Sequence, residues 1–204
     1  MAAVRTPMHV FRGSSPAVRL LARLTCALLC LFVAFPMGAA VSAQPVSEYD
    51  VEAAYLYNFG KFVHWPDSAQ KNPTFDICIL GEDPFGGTLE KLIANDHMGG
   101  RPIRKRIISR SAEATGCAIV YISDSEAGNL HRILARLAGS GVLLVSNLPD
   151  FAQQGGMIQF VLEGGRVRFK VNLSPANQSH LVLSSELLKV AVNVAGSPQG
   201  GVTR

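Results

Sequence analysis

From residue 48 onward the chain alternates two kinds of apolar pattern. Between 48 and 65, apolar positions at Val51, Ala54, Tyr55, Phe59 and Phe62 recur at three- and four-residue steps. That spacing predicts an amphipathic helix. Gly60 weakens it, and Trp65-Pro66 ends it. "FDICILG" (75–81) is instead a short, nearly continuous apolar run closed by glycine, as expected of a strand buried on both faces.

The alternation continues. A helix is expected from Thr88 to Asn95, then a strand at 103–109, a buried strand at 117–123 and a helix at 126–139. "GVLLVSN" (141–147) reads as a third buried strand, and "DFAQQGG" as a short helical turn N-capped by Asp150. "MIQFVLEGGRVRFKVNL" (157–173) predicts a β-hairpin turning at Gly164-Gly165. The last element, 179–196, combines a short extended start with a helix capped at Ser184 or Ser185 and ending near Gly196. Buried strands joined by helices predict an α/β fold. The expected form is a single three-layer domain over 44–196, its sheet mostly parallel with an antiparallel hairpin at one edge.

The first 43 residues change the charge argument. Arg5, Arg12, Arg19 and Arg23 precede the apolar run "LTCALLCLFVAFPMGAA", and "VSAQP" offers a cleavage site after Ala43. This is the order of a secretory signal peptide, predicting export with removal of residues 1–43. The net charge of +4 then disappears, because the fifteen Lys and Arg that remain match the fifteen Asp and Glu. The one dense basic run left, "RPIRKR" (101–106), has no interleaved aromatics, a poor nucleic-acid signature, and reads as the solvated face of an edge strand. Residues 197–204 read as a disordered tail.

Cys26 and Cys30 leave with the leader, so Cys78 and Cys117 remain, each in or beside a predicted buried strand. Export permits a bridge, and neighbouring strands favour a stabilising disulfide over two buried free thiols. No C-x-x-C suggests redox catalysis. His64, His97, His131 and His180 show no metal-ligand spacing, and no G-x-S-x-G elbow is present. No enzyme, cofactor or metal is expected. "GEDPFGG" (81–87) follows a strand and precedes a helix, where α/β sheets place ligand loops. It reads first as a structural loop, and second as a small-molecule pocket built on Glu82, Asp83 and Phe85.

Half of the twelve aromatics after the leader lie between 48 and 66. On a helical wheel Val51, Tyr55, Phe59 and Phe62 share one face, expected to pack on the sheet. Tyr57, Lys61 and His64 fall on another side and form a candidate partner surface; the alternative is that the whole stretch is core.

"VEAAYLYNFGKFVHWP", "ICILGEDPFGGTLEKL", "FAQQGGMIQFVLEGGRVRFKVNL" and "LVLSSELLKVA" together resemble the YfiR/HmsC-like family of exported bacterial proteins, from about Glu48 to Val194. The resemblance implies a periplasmic α/β domain without catalysis. Its function would be to bind and repress the periplasmic portion of a membrane-anchored diguanylate cyclase, lowering cyclic di-GMP signalling and biofilm formation. Some members carry a second cysteine pair near G-G-M-I; no cysteine follows Cys117 here. A homodimer would be unsurprising for such a regulator, nucleic acid is not an expected partner, and the cleaved chain would not span a membrane. The alternative from another class is a periplasmic small-molecule binding protein.

Overall fold

A computed structural model describes residues 47–67 and 71–196. The expected signal peptide (1–43) and tail (197–204) lie outside the described residues. Helix α1 (Glu48–Phe62) opens with a capping box in which Ser47 and Asp50 satisfy each other's backbone N–H groups. It ends three residues before the expected Trp65, because Val63 is extended. Val63–His64 form a two-residue strand, β1, and Trp65 drops into the core, its indole N–H donating to the Ala118 carbonyl at 3.0 Å.

The elements that follow are β2 (Phe75–Leu80), α2 (Thr88–Ile93), β3 (His97–Met98) and β4 (Arg101–Ile108). Then come β5 (Cys117–Ile122), α3 (Leu130–Leu137), β6 (Leu143–Ser146), β7 (Ile158–Glu163) and β8 (Arg166–Asn172). The chain closes with α4 (Leu173–Gln178), β9 (Val182–Leu183), α5 (Ser185–Val190) and β10 (Asn193–Ala195). The helix expected over 126–139 is divided, with a 3-10 turn at Asp124–Asn129 before α3. Asp150 does not cap a helix: its φ is +56°, and 150–155 form turns.

Eight strands make one sheet in the order β10-β8-β7-β6-β5-β2-β4-β3, parallel except at β8–β7 and β4–β3. The expected 157–173 hairpin is therefore not an edge. Helix α5 stops at Val190, and β10 pairs parallel to β8, covering it. Every residue of β2, β5 and β6 is buried, which is why their sequences read as unbroken apolar runs. A separate two-stranded ladder, β1 with β9, ties the start of the fold to its end.

The face that α1 buries is rotated from the expected one. Its buried residues are Glu52, Ala53, Leu56, Phe59 and Gly60, whereas Val51 and Tyr55 are half-buried and Phe62 is 37% exposed. Tyr55 still joins Phe59, Phe160 and Phe169 in an aromatic cluster with centroids 5.3–6.0 Å apart. Glu52, which the expected face of Val51, Tyr55, Phe59 and Phe62 did not include, lies inside the core.

The basic run departs in part from expectation: β3 covers only Arg101 and Pro102 of β4, and the cations, though Arg104 stays exposed, are engaged. Arg104 forks onto buried Asp76 with two bonds of 3.0 Å, and Arg106 reaches the same carboxylate at 3.3 Å. Burial pushes Asp76 up, but the bonds from Arg104 and Thr74 outweigh it and hold the carboxyl below its usual range. On the opposite face of β4, the nearly buried Lys105 ammonium joins Asp83 at 2.5 Å and Glu90 of α2.

Candidate functional site

Two regions carry the candidate residues. The first is the outer side of α1. The Tyr57 hydroxyl donates to Asp96 Oδ2, and this bond holds the Asp96 carboxyl below its usual range. Lys61, one turn on and exposed, lies over the Tyr57 ring with its ammonium 4.1 Å from the centroid. Such a stack contributes about 0.5–1 kcal/mol at an exposed site. His64 is exposed but sits beyond the helix, paired with Val182 in the β1–β9 ladder. The structure thus groups Tyr57, Lys61 and Asp96, and sets His64 on a neighbouring element. Asp96 was missed because it lies 39 positions from Tyr57 in a loop with no motif.

The second region is the crevice outside the carboxyl ends of β2 and β5. The chain leaves β2 toward β4 on one side, then returns past it to β5 and continues to β6 on the other. That reversal is the topological switch point, the usual ligand position in an α/β sheet. A cleft of about 220 Å³ opens there, lined by Tyr49, Glu82, Asp83, Pro84, Tyr121 and Ser123–Ser125. The Glu82 N–H donates to Ser125 Oγ at 2.9 Å. Gly81 permits this approach: its φ is +94°, and a Cβ there would lie 2.3 Å from Ser125 Oγ. Glu82 and Asp83 border the cleft as the loop reading expected, but Phe85 turns into the core, edge-on to Tyr121 at 4.7 Å. Asp83 is largely spent on the fold, accepting from Phe85 N–H and from Lys105.

Beneath this cleft lies a group that hydrophobic patterning could not flag. Glu52 is fully buried, and one of its oxygens accepts from the Tyr121 hydroxyl at 3.1 Å. The other, Oε1, has no hydrogen-bond partner. Burial, reinforced by the negative fields of Glu48 and Asp124, pushes the carboxyl up to about 7 against the opposing bonds from Tyr121 and Asn147. Tyr121 is raised well above the usual phenol range by its own burial and by Glu52.

The two cysteines sit on adjacent strands. Cys78 in β2 and Cys117 at the start of β5 form a disulfide with Cα atoms 6.0 Å apart, inside the usual window. They are neighbours because β5 returns past β4 to pair with β2. The Arg106 guanidinium approaches Cys117 Sγ at 3.8 Å. Among the described residues, no three His, Cys, Asp or Glu side chains converge as metal ligands, and no helix is long and apolar enough to cross a membrane.

Residues 49–192 match the family described as YfiR/HmsC-like. The chain belongs to that family. No curated protein sequence matches the chain. Among solved structures, one similar chain is the ABC domain in complex with L-Trp from Streptococcus pneumonia, with 11% identity and a TM-score of 0.46, covering 68% of this chain and 58% of that one. Another is a conserved domain protein from Vibrio cholerae O1 biovar eltor, with 9% identity and a TM-score of 0.48, covering 72% and 60%. This YfiR/HmsC-like chain thus spans less than two thirds of either structure. The YfiR-like family is one of periplasmic, non-catalytic regulators associated with a diguanylate cyclase.

Proposed function

We propose that this protein is a periplasmic regulator that binds the periplasmic portion of a membrane-anchored diguanylate cyclase and represses it, lowering cyclic di-GMP signalling. Family membership over 49–192 carries the reading. The regulator would bind one conformation of the cyclase better than another and shift its population by that difference. The contact surface is the outer side of α1, with Tyr57 and Lys61 stacked on each other and His64 beside them. An aromatic ring with a cation over it, anchored to Asp96, offers a preorganised contact at small entropic cost. The Cys78–Cys117 bridge suits an oxidising compartment.

Co-purification with the cyclase's periplasmic portion tests the proposal. The wild-type protein should retain that portion, and joint replacement of Tyr57, Lys61 and His64 by alanine should release it. Full retention by the triple variant would remove α1 from the interface. Failure of the wild type to bind any cyclase portion encoded beside it would overturn the regulatory reading.

The switch-point cleft favours a second reading, a small-molecule binding protein with Glu82 and Asp83 at the rim. A compound that raises the melting temperature without a protein partner would support it.

A further inference from the structure

We propose that Glu52 is held in the folded protein as the neutral acid, and that losing this proton loosens α1 from the sheet. Three observations lead there. Glu52 lies in the middle of the stripe by which α1 packs on the sheet, and it is fully buried. Two oxygens in this region, Glu52 Oε1 and Asn147 Oδ1, are buried with no donor. Against burial stand two opposing bonds, from Tyr121 and Asn147, and burial outweighs them. A buried carboxylate oxygen without a donor is costly, and a proton on Oε1 removes the charge that makes it so. Tyr121 already serves the other carboxyl oxygen.

The charges that face Glu52, those of Glu48 and Asp124, favour the neutral form, while the bonds from Tyr121 and Asn147 oppose it. From α1 itself come Glu48 and Tyr49. From β5 comes Tyr121, from the 3-10 turn after it Asp124, and from the end of β6 Asn147. None of these carries a positive charge. Ionisation would leave a carboxylate in the interior with its second oxygen lacking a donor. Moving α1 outward, so that water reaches the group, relieves that arrangement. Because α1 also carries Tyr57 and Lys61, proton loss would disturb the surface assigned to the partner. This last step rests on the docking reading above; the protonation state does not.

The test is a carbon-13 NMR titration of the purified protein with labelled glutamate carboxyls. Of the eight glutamates, one should titrate near neutrality, against the ordinary 4.5, and that signal should vanish in Glu52→Gln. All eight midpoints in the ordinary carboxylate range would overturn the proposal and mean that Asn147 presents its NH₂ to an ionised Glu52. The wild-type titration needs no variant to fold. As a second readout, the wild-type unfolding constant should rise on the order of a hundred-fold between about pH 5 and about pH 8 beyond any change in Glu52→Gln. Binding of the cyclase portion at the same two pH values separates the parts. Weaker wild-type binding at the higher pH, absent in Glu52→Gln, supports the coupling, and equal binding overturns it. No binding at either pH, with the neutral titration intact, overturns the docking reading alone.

Discussion

The Tyr121 hydroxyl donates to Glu52 Oε2 at 3.1 Å, joining the central strand β5 to helix α1 through a bond buried at both ends. Tyr121→Phe removes this donor while keeping the ring's packing. It should cost about 1–3 kcal/mol. It should also move the Glu52 midpoint further up, since the lost bond is the larger of the two that lower it. Urea unfolding and the glutamate titration check the two effects.

Stability should peak on the acid side of neutrality. The folded Glu52 carboxyl, at about 7, lies above its ordinary 4.5. Its contribution is therefore complete below 4.5 and is lost as pH rises through about 7, by about 3 kcal/mol in full. Asp76 has the opposite sign. It is held below its ordinary 3.8, so its contribution is present above that value and lost as pH falls through the folded midpoint. Melting temperature against pH should show both limbs, with Glu52→Gln flattening the upper one.

Removing the disulfide should be costly. Cys78 and Cys117 are 39 positions apart, a loop whose closure is worth about 4 kcal/mol in the chain-entropy account. Cys78→Ala with Cys117→Ala should lower the urea midpoint accordingly. A reductant should move the wild type toward the double variant and leave the variant unchanged.

Gly156, the second glycine of G-G-M-I, predicts a sharp contrast with glycines elsewhere. A Cβ at Gly156 would lie 2.2 Å from the fully buried Phe151 ring. Gly156→Ala should destabilise by about 1–3 kcal/mol, because the ring cannot yield without disturbing its neighbours. Gly128 has open space and an ordinary φ, so Gly128→Ala should leave the melting temperature unchanged or slightly raised.

Much of the sheet was legible because β2, β5 and β6 are buried on both faces, leaving unbroken apolar runs between turn residues. The hairpin was legible from Gly164-Gly165 and the alternation that follows. What was not legible depended on tertiary neighbours. Periodicity assigns a glutamate to solvent, so the pattern rotated the buried face of α1 away from Glu52; only Tyr121, 69 positions on, gives that carboxyl a place inside. "RPIRKR" looked solvated because nothing local reveals that Asp76 and Asp83 wait for its charges. The segment "VNVAG" carried on a helical pattern, yet β8 offered an open ladder edge and recruited it as β10. Asn147, at a strand end, bore no motif at all.

The β1–β9 ladder pairs Val63 with Leu183, and the Ser184 N–H donates to the Phe62 carbonyl at 2.9 Å. Helix α1, made first, therefore cannot be locked until residues some 120 positions later have been delivered. A chain emerging from a ribosome or a translocation pore would spend that interval with the aromatic underside of α1 uncovered, and contacts so distant in sequence form slowly. Its vulnerable period is one of delivery, when a holding chaperone would matter more than at any time after the last strand has closed.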